Sequence, residues 1–277
     1  MPEARLILLI AQKELREAIR NRWFLAYSIG FAVLATGLTW AALSVSSSFG
    51  IAGFGRASAG MINLVLLVVP LMGLTLGALS IAGERERGEL LVTLAQPVGR
   101  MEVLLGKYLG IGVALIGSLA FGFGVSGTLV AVRSGTVRIE DFLVLVGMTG
   151  LLALVSLSMG FAISAGTRRG ATALGISIFA WLAMAFFSDL GLMASAMSGN
   201  LGAAGAFNAA MANPLQVFKV AVVLSGSDNL EVLGPAGVYA VRTYGAGLLA
   251  GLVGLLVAWT VAPLALAYPL MKRRGAV

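Results

Sequence analysis

Six apolar stretches run along the chain, at about 24–43, 61–82, 108–132, 142–164, 171–192 and 246–270. Each is about 20 residues long, and at about 1.5 Å per helical residue that matches the roughly 30 Å of a bilayer's hydrocarbon. The fifth is interrupted near its far end by Ser188 and Asp189. Alternating segments of about ten residues, the mark of a membrane barrel, are absent. The pattern predicts an all-α polytopic membrane protein of six transmembrane helices, with residues 1–277 forming a single membrane domain.

Between the apolar runs, three polar stretches carry the information. Residues 1–22 set Leu8, Ala11, Leu15, Ala18 and Ile19 on one face and Lys13, Arg16, Glu17 and Arg20 towards the other, which predicts an amphipathic helix lying in the headgroup layer. A signal peptide is excluded, because the apolar run that follows exceeds the length of a signal sequence's core. Trp23 falls where an amphipathic ring prefers the interface.

The second stretch, residues 83–107, alternates acids (Glu84, Glu86, Glu89, Glu102) with bases (Arg85, Arg87, Arg100, Lys107). Leu90, Leu91 and Leu94 recur at helical spacing and predict a short amphipathic helix. Pro97 and Gly99 break it before a second helix opens at Met101, Leu104 and Leu105. Two readings fit: a segment shaped to be gripped by a soluble protein, or a solvated loop whose charges keep it out of lipid.

The third stretch, 188–245, is the longest outside the predicted spans and is expected to form a short helical region. Asn213-Pro214 is a helix start, with asparagine as N-cap and proline in the first turn; the helix it opens carries Leu215, Phe218, Lys219 and Val222. Asp189 is a carboxylate at membrane depth, which marks either a functional group or one reaching the interface. Met193 and Met197 are one turn apart, but two thioethers without cysteine or histidine make a poor copper site.

Smaller features refine the picture. Pro70 in the second span removes a backbone hydrogen bond and predicts either a hinge or a packing kink. Gly106, Gly110, Ala114, Ser118, Gly122 and Ser126 form a ladder of small residues along the third span, expected to seat another helix of the same chain. Thr167-Arg168-Arg169-Gly170 is a tight turn that anchors by charge or offers a second partner contact.

Composition bounds the chemistry. The chain is 59% hydrophobic and 11% charged, with a net charge of +7. With the N-terminus inside, the segments at 1–22, 83–107, 167–170 and 272–274 hold 14 of the 19 lysines and arginines, so the charge reports orientation, with both termini cytoplasmic, and no nucleic-acid partner is implied. Cysteine and histidine are absent, which removes disulfides, Cys/His metal sites and histidine-activated nucleophiles. Gly106-Lys107 is not a P-loop, since Tyr108 follows and Met101 stands where the first glycine belongs, so no ATPase or other enzyme activity is expected of this chain alone. No metal or cofactor site is predicted.

The run of acids and bases with Gly88, the leucines, Gln96-Pro97-Val98-Gly99-Arg100 and Leu105-Gly106-Lys107 resembles the coupling segment of ABC-2-type permeases. Lys13-Glu14-Leu15-Arg16-Glu17 and Arg20-Asn21-Arg22-Trp23 resemble that family's opening interfacial helix. Further on, Asp189-Leu190-Gly191-Leu192-Met193, the segment from Asn213 to Lys219, the segment from Leu230 to Gly237 and Val241 to Gly245 together resemble the NosY-like permeases of nitrous oxide reductase maturation. The resemblance implies a bacterial inner-membrane subunit working with a second copy of itself. A cytoplasmic ATPase (NosF-like), which binds ATP and Mg, and a periplasmic β-helical protein (NosD-like) would complete an assembly serving a copper-sulfide site. It assigns Glu84, Glu86, Gly88, Glu89, Leu90, Leu91, Leu94, Pro97 and Arg100 to ATPase coupling; Asp189, Asn213, Pro214, Phe218 and Lys219 are the expected periplasmic contact. The alternatives are a plain ABC-2 exporter of a small molecule or sulfur species, and a coupler through which nothing passes.

Overall fold

A computed structural model describes residues 3–46, 53–134, 139–187, 202–226 and 234–274. Among them there are eleven α-helices and no strand: α1 (Ala4–Arg20), α2 (Arg22–Ser46), α3 (Gly53–Arg87), α4 (Glu89–Leu94), α5 (Arg100–Ser134), α6 (Ile139–Gly166), α7 (Gly170–Leu182), α8 (Ala203–Met211), α9 (Pro214–Gly226), α10 (Gly234–Tyr244) and α11 (Leu248–Arg274). A π-helical turn, Ala183–Phe187, continues α7.

Among the described residues five helices are long and apolar enough to cross a bilayer, over Arg22–Ala41, Gly60–Arg87, Arg100–Leu129, Phe142–Gly166 and Leu248–Arg273, or six if the bent pair Ala203–Met211 and Pro214–Ser225 is one span. The five reach past the apolar runs that predict them; on either side of the turn between α3 and α5, α3 continues to Arg87 and α5 begins at Arg100. The helices need not stop where the lipid does, because the charged residues that extend them find partners on neighbouring helices. The predicted fifth span corresponds to the shorter apolar helix Gly170–Phe186.

The centre of the bundle is the pair α3 and α6, which run parallel: Gly73 meets Ser156, Gly77 meets Gly160, and Ile81 meets Ser164. Its closeness depends on absent side chains: a Cβ on Gly77 would stand 2.6 Å from the Leu157 carbonyl oxygen, and one on Gly160 would stand 2.6 Å from that of Leu74. Where apolar side chains gain nothing by leaving lipid for each other, this approach of backbones is what holds helices together. Around the pair, α11 packs on α6 and α7 on α3, while α5 carries both α1 and α2. Outward sides of α2 (Ile29, Val33, Leu34) and α11 (Val257, Val261, Leu266) are exposed apolar surface, as lipid-facing helices require.

The small-residue ladder of α5 is occupied within the chain, as its spacing predicts. Gly106 meets Ile10 and Gly110 meets Ala11 on α1; higher up, Ser118 Oγ donates to Ser28 Oγ at 2.7 Å and Gly122 makes room for the Phe31 ring of α2. Pro70 lies buried inside a helix that continues on both sides of it.

Among the described residues two large apolar clusters fill the interior, with a small third one of Ala78, Ala82 and Ala173 between α3 and α7. One of the large clusters gathers Met72, Ile81, Leu90, Leu104, Leu115, Phe161 and Met271 at the end that bears α4. The other, at the far end, gathers Phe31, Val65, Phe123, Leu152, Phe218 and Leu252. Phe218 belongs to the stretch read from sequence as lying outside the spans. The structure instead folds α9 back into the bundle: α8 and Pro214–Ser225 meet at 114°, and Leu215, Val217, Phe218 and Ala221 are buried.

Candidate functional site at the elbow

The chain turns between α3 and α5 through a frame of fixed polar contacts. Gly88 takes φ +76, a left-handed conformation that only glycine adopts cheaply, and this breaks α3 from α4. After α4, Val98 N–H donates to the Gln96 carbonyl at 2.7 Å across the Pro97 turn. Glu102, at the third position of α5, reaches back to accept the Gly99 N–H at 2.5 Å, which satisfies a donor the helix leaves orphaned. Its other oxygen accepts the Glu3 N–H at 3.2 Å, tying in the start of the chain. Arg100 donates to the Lys272 carbonyl at 3.3 Å, joining the elbow to the end of α11.

Three helices converge on one ammonium beneath this turn. Lys107 Nζ donates to Glu14 Oε1 of α1 at 2.7 Å and to Glu84 Oε1 of α3 at 2.5 Å. The side chains of Lys107, Glu14 and Glu84 are only 2%, 8% and 9% exposed, so bulk water screens the pairs little. Glu84 Oε2 is buried with no hydrogen-bond partner among the described residues. On the rim, burial alone would lower the pKa of Lys13, but the carboxylates of Glu17, Glu14 and Glu84 outweigh it and hold it above the ordinary lysine value. Arg87 and Glu89 pair in the open at 2.9 Å, and that hydrogen bond holds the Glu89 carboxyl below its usual range.

Neither Glu14 nor Lys107 is among the coupling residues picked out by sequence. One signal was available: a lysine at the mouth of an apolar run needs a named counter-charge. The partner's identity was not, because Glu14 lies 93 positions away.

The neighbouring α6–α7 turn is bolted to the end of α3. Arg85 donates through Nη1 to the Thr167 carbonyl, and Glu86 Oε2 accepts the Gly170 N–H at 2.8 Å, capping the first turn of α7. Glu86 thus has an intramolecular role beside the one expected for it.

The leucines do not act together. Leu90 is fully buried in the bundle's own core and Leu94, one turn on, is packed against it; Leu91 is 46% exposed beside Val92 at 67%. Leu90, Leu94 and Leu91 fall at about 0°, 40° and 100° around the helix axis, so periodicity places them on one face. The packing of α4 turns Leu90 and Leu94 to the core and leaves Leu91 at its edge. The exposed large apolar side chains of the turn are Leu91, Val92 and Met101, and Pro97 is exposed as well.

This geometry sits within a sequence that is related to known permeases along nearly its whole length. Residues 8–276 match the model of the ABC-2 family transporter proteins. The chain belongs to the ABC-2 transporter family. It is 31% identical over 278 residues to the "Probable ABC transporter permease protein NosY" of Stutzerimonas stutzeri, covering 96% of this chain and 97% of that one. A protein of the same description from Pseudomonas aeruginosa is 31% identical over 271 residues, with the same coverage.

In this ABC-2 permease three of the residues expected at the outer contact, Asn213, Pro214 and Phe218, are buried in the bundle. Asn213 caps α9 as predicted: its Oδ1 accepts the Leu215 N–H at 2.9 Å, and its Nδ2 donates to the Met184 carbonyl at 2.7 Å in the π-helical turn. Pro214 is buried behind it, and Phe218 has no exposed surface. Lys219 is half-buried and lines a groove of about 200 Å³ with Asn63, Leu67, Met184, Phe186 and Gln216. Asp189, Met193 and Met197 lie outside the described residues. Asn213→Ala removes both a cap and the tie to α7's end, and is expected to cost about 1–2 kcal/mol of bundle stability. The check is thermal unfolding of the purified permease in detergent.

Proposed function

We propose that this ABC-2 permease is the membrane half of an ATP-driven complex of the NosY type. The elbow, residues 83–107, faces the cytoplasm and seats an ABC ATPase of the NosF kind. The outer end, with α8 to α10, faces a periplasmic β-helical partner of the NosD kind, and the assembly serves the copper-sulfide site of nitrous oxide reductase. Two copies of the permease work together in the inner membrane with both termini cytoplasmic, and ATP with Mg is bound by the ATPase.

The observation that carries this reading is the exposure of Leu91, Val92 and Met101 on a turn held by fixed polar contacts at Gly99, Arg100 and Glu102. A solvated loop has no need of exposed large hydrophobes on a fixed frame, whereas a partner groove does. ATP-driven closure of the ATPase pair then displaces the elbow, and the bolts at Arg85–Thr167 and Glu86–Gly170 deliver the displacement to α6 and α7. The outer end changes only to the extent that the two ATPase states touch the elbow differently.

The test is a double substitution, Leu91→Asp with Val92→Asp. Both side chains point away from the core, so the bundle is expected to fold normally. Affinity for the ATPase is expected to fall about 30-fold, the equivalent of about 2 kcal/mol of lost apolar burial. Pull-down of the cognate ATPase by membranes of titrated permease content measures it. Unchanged binding would leave the elbow a solvated loop.

A further inference from the structure

We propose that the Glu14–Lys107–Glu84 cluster is a fulcrum that makes α1 and the elbow a single moving body, with Glu14 and Lys107 as positioning residues for the coupling segment. The inference rests on the ATPase-docking reading of the elbow and deepens it.

The charge count is the first ground. Two carboxylates face one ammonium in a buried site, and one carboxylate oxygen, Glu84 Oε2, has no hydrogen-bond partner among the described residues. An arrangement selected for stability alone would be better served by apolar side chains of the same volume, which pack without desolvating charge. What charge offers and hydrocarbon does not is register: an ammonium holds its partners at fixed atoms, whereas apolar surfaces slide.

Position supplies the second ground. Glu84 lies one helical turn before Gly88, where α3 breaks, and Lys107 lies two turns after α5 begins. The ammonium therefore spans both arms of the elbow at its base. The third partner, Glu14, is on neither arm. It belongs to α1, whose backbone is pressed on α5 on either side of Lys107: a Cβ on Gly106 would stand 2.6 Å from that of Ile10, and one on Gly110 would stand 2.4 Å from the Ala11 carbonyl oxygen. Glycine contacts fix how near α1 lies, and the ion pair fixes where along α5 it sits. Through Lys107 the same tie reaches α3.

Anchorage is the third ground. On its outward side α1 exposes Leu8 and Ile19, and Trp23 follows at 71% exposure, the surface of a helix seated at a membrane interface. A push on the elbow is thus received by a body that rides in the interface, so the arms tilt together with α1 and do not bend away from it.

The absence of cysteine makes the test clean, since single cysteines at the exposed Gln12 on α1 and Gln96 in the elbow can each carry a spin label. The label-to-label distance is measured in the permease–ATPase complex, without nucleotide and with ADP and vanadate. In the parent chain the distance is expected to be the same in both states. In Glu14→Gln/Glu84→Gln/Lys107→Met, which keeps side-chain volume and removes every charge, the vanadate state is expected to shift or broaden by about 5 Å, the scale of a one-turn slip. Glu14→Met leaves Lys107 neutralised by Glu84 and is expected to release α1 in the same way. A nucleotide-dependent distance in the parent chain, or a triple variant indistinguishable from it, would overturn the proposal. Docking is judged apart, by whether the Leu91→Asp/Val92→Asp chain loses its ATPase.

Discussion

Gly77→Val is expected to abolish the well-folded bundle. Its new Cβ would stand 2.6 Å from the Leu157 carbonyl oxygen and 2.9 Å from the Gly160 Cα, and both are backbone atoms with no side-chain freedom to yield. Relief comes only by parting α3 from α6. Overpacking of this kind costs about 1–3 kcal/mol in ordinary cores and more where backbone is the obstacle. Here the loss is compounded, since the same interface carries the Ser164 contacts that knit the two helices. The measurement is monodispersity and thermal melting in detergent, with Gly117→Ala as control. Gly117 is also helical but has nothing within 4 Å of its would-be Cβ, so that change is expected to be neutral or to gain about 0.5–1 kcal/mol from helix propensity. A Gly77→Val chain that elutes and melts like its parent would mean that α3 and α6 are not in backbone contact.

Lys107→Met has the other large effect, by a different cause. It leaves Glu14 and Glu84 buried side by side without their cation. Breaking a buried pair by removing one partner costs about 3–5 kcal/mol, because the charge left behind remains desolvated. Neutralising all three groups together is expected to recover most of that loss, because no uncompensated charge stays inside. The comparison of single and triple variants by thermal unfolding therefore separates the cost of an orphaned charge from the worth of the cluster. Equal destabilisation by both would place the cost in packing around the lysine stem.

Much of this architecture is legible in the chain itself. Long apolar runs locate five helices because nothing but a helix satisfies its own backbone in lipid. Pro97 and Gly99 mark the elbow turn through their backbone preferences, and the ladder from Gly106 to Ser126 announces a seat for a helix. Their tertiary partners are not legible. The ladder does not say that its lower rungs seat α1 and its upper rungs α2. Periodicity groups Leu90, Leu91 and Leu94 as one apolar set, and only packing decides that the first turns inward and the second out. The segment from Asn213 to Lys219 reads as a surface helix because Lys219 is polar and the cap is strong. The burial of Leu215, Val217 and Phe218 depends on α6 and α11, which sequence spacing does not bring near. Glu14 and Lys107 were missed for the same reason: rules for pairing charges work at three or four residues, and tertiary pairs obey none.

Ser164 bears on how the elbow's motion can be followed. Its hydroxyl donates to the Ala78 carbonyl at 2.6 Å and accepts the amides of Ile81 and Ala82 at 3.0 and 2.8 Å, a full complement for one serine oxygen. Protection of those two amides of α3 is therefore contributed by α6, a separate helix. In hydrogen–deuterium exchange they become a native reporter of the gap between the helices: they stay slow while α6 is in place and quicken when it withdraws. A working cycle that parts the pair would be seen there without any label, as exchange confined to a single turn of one helix.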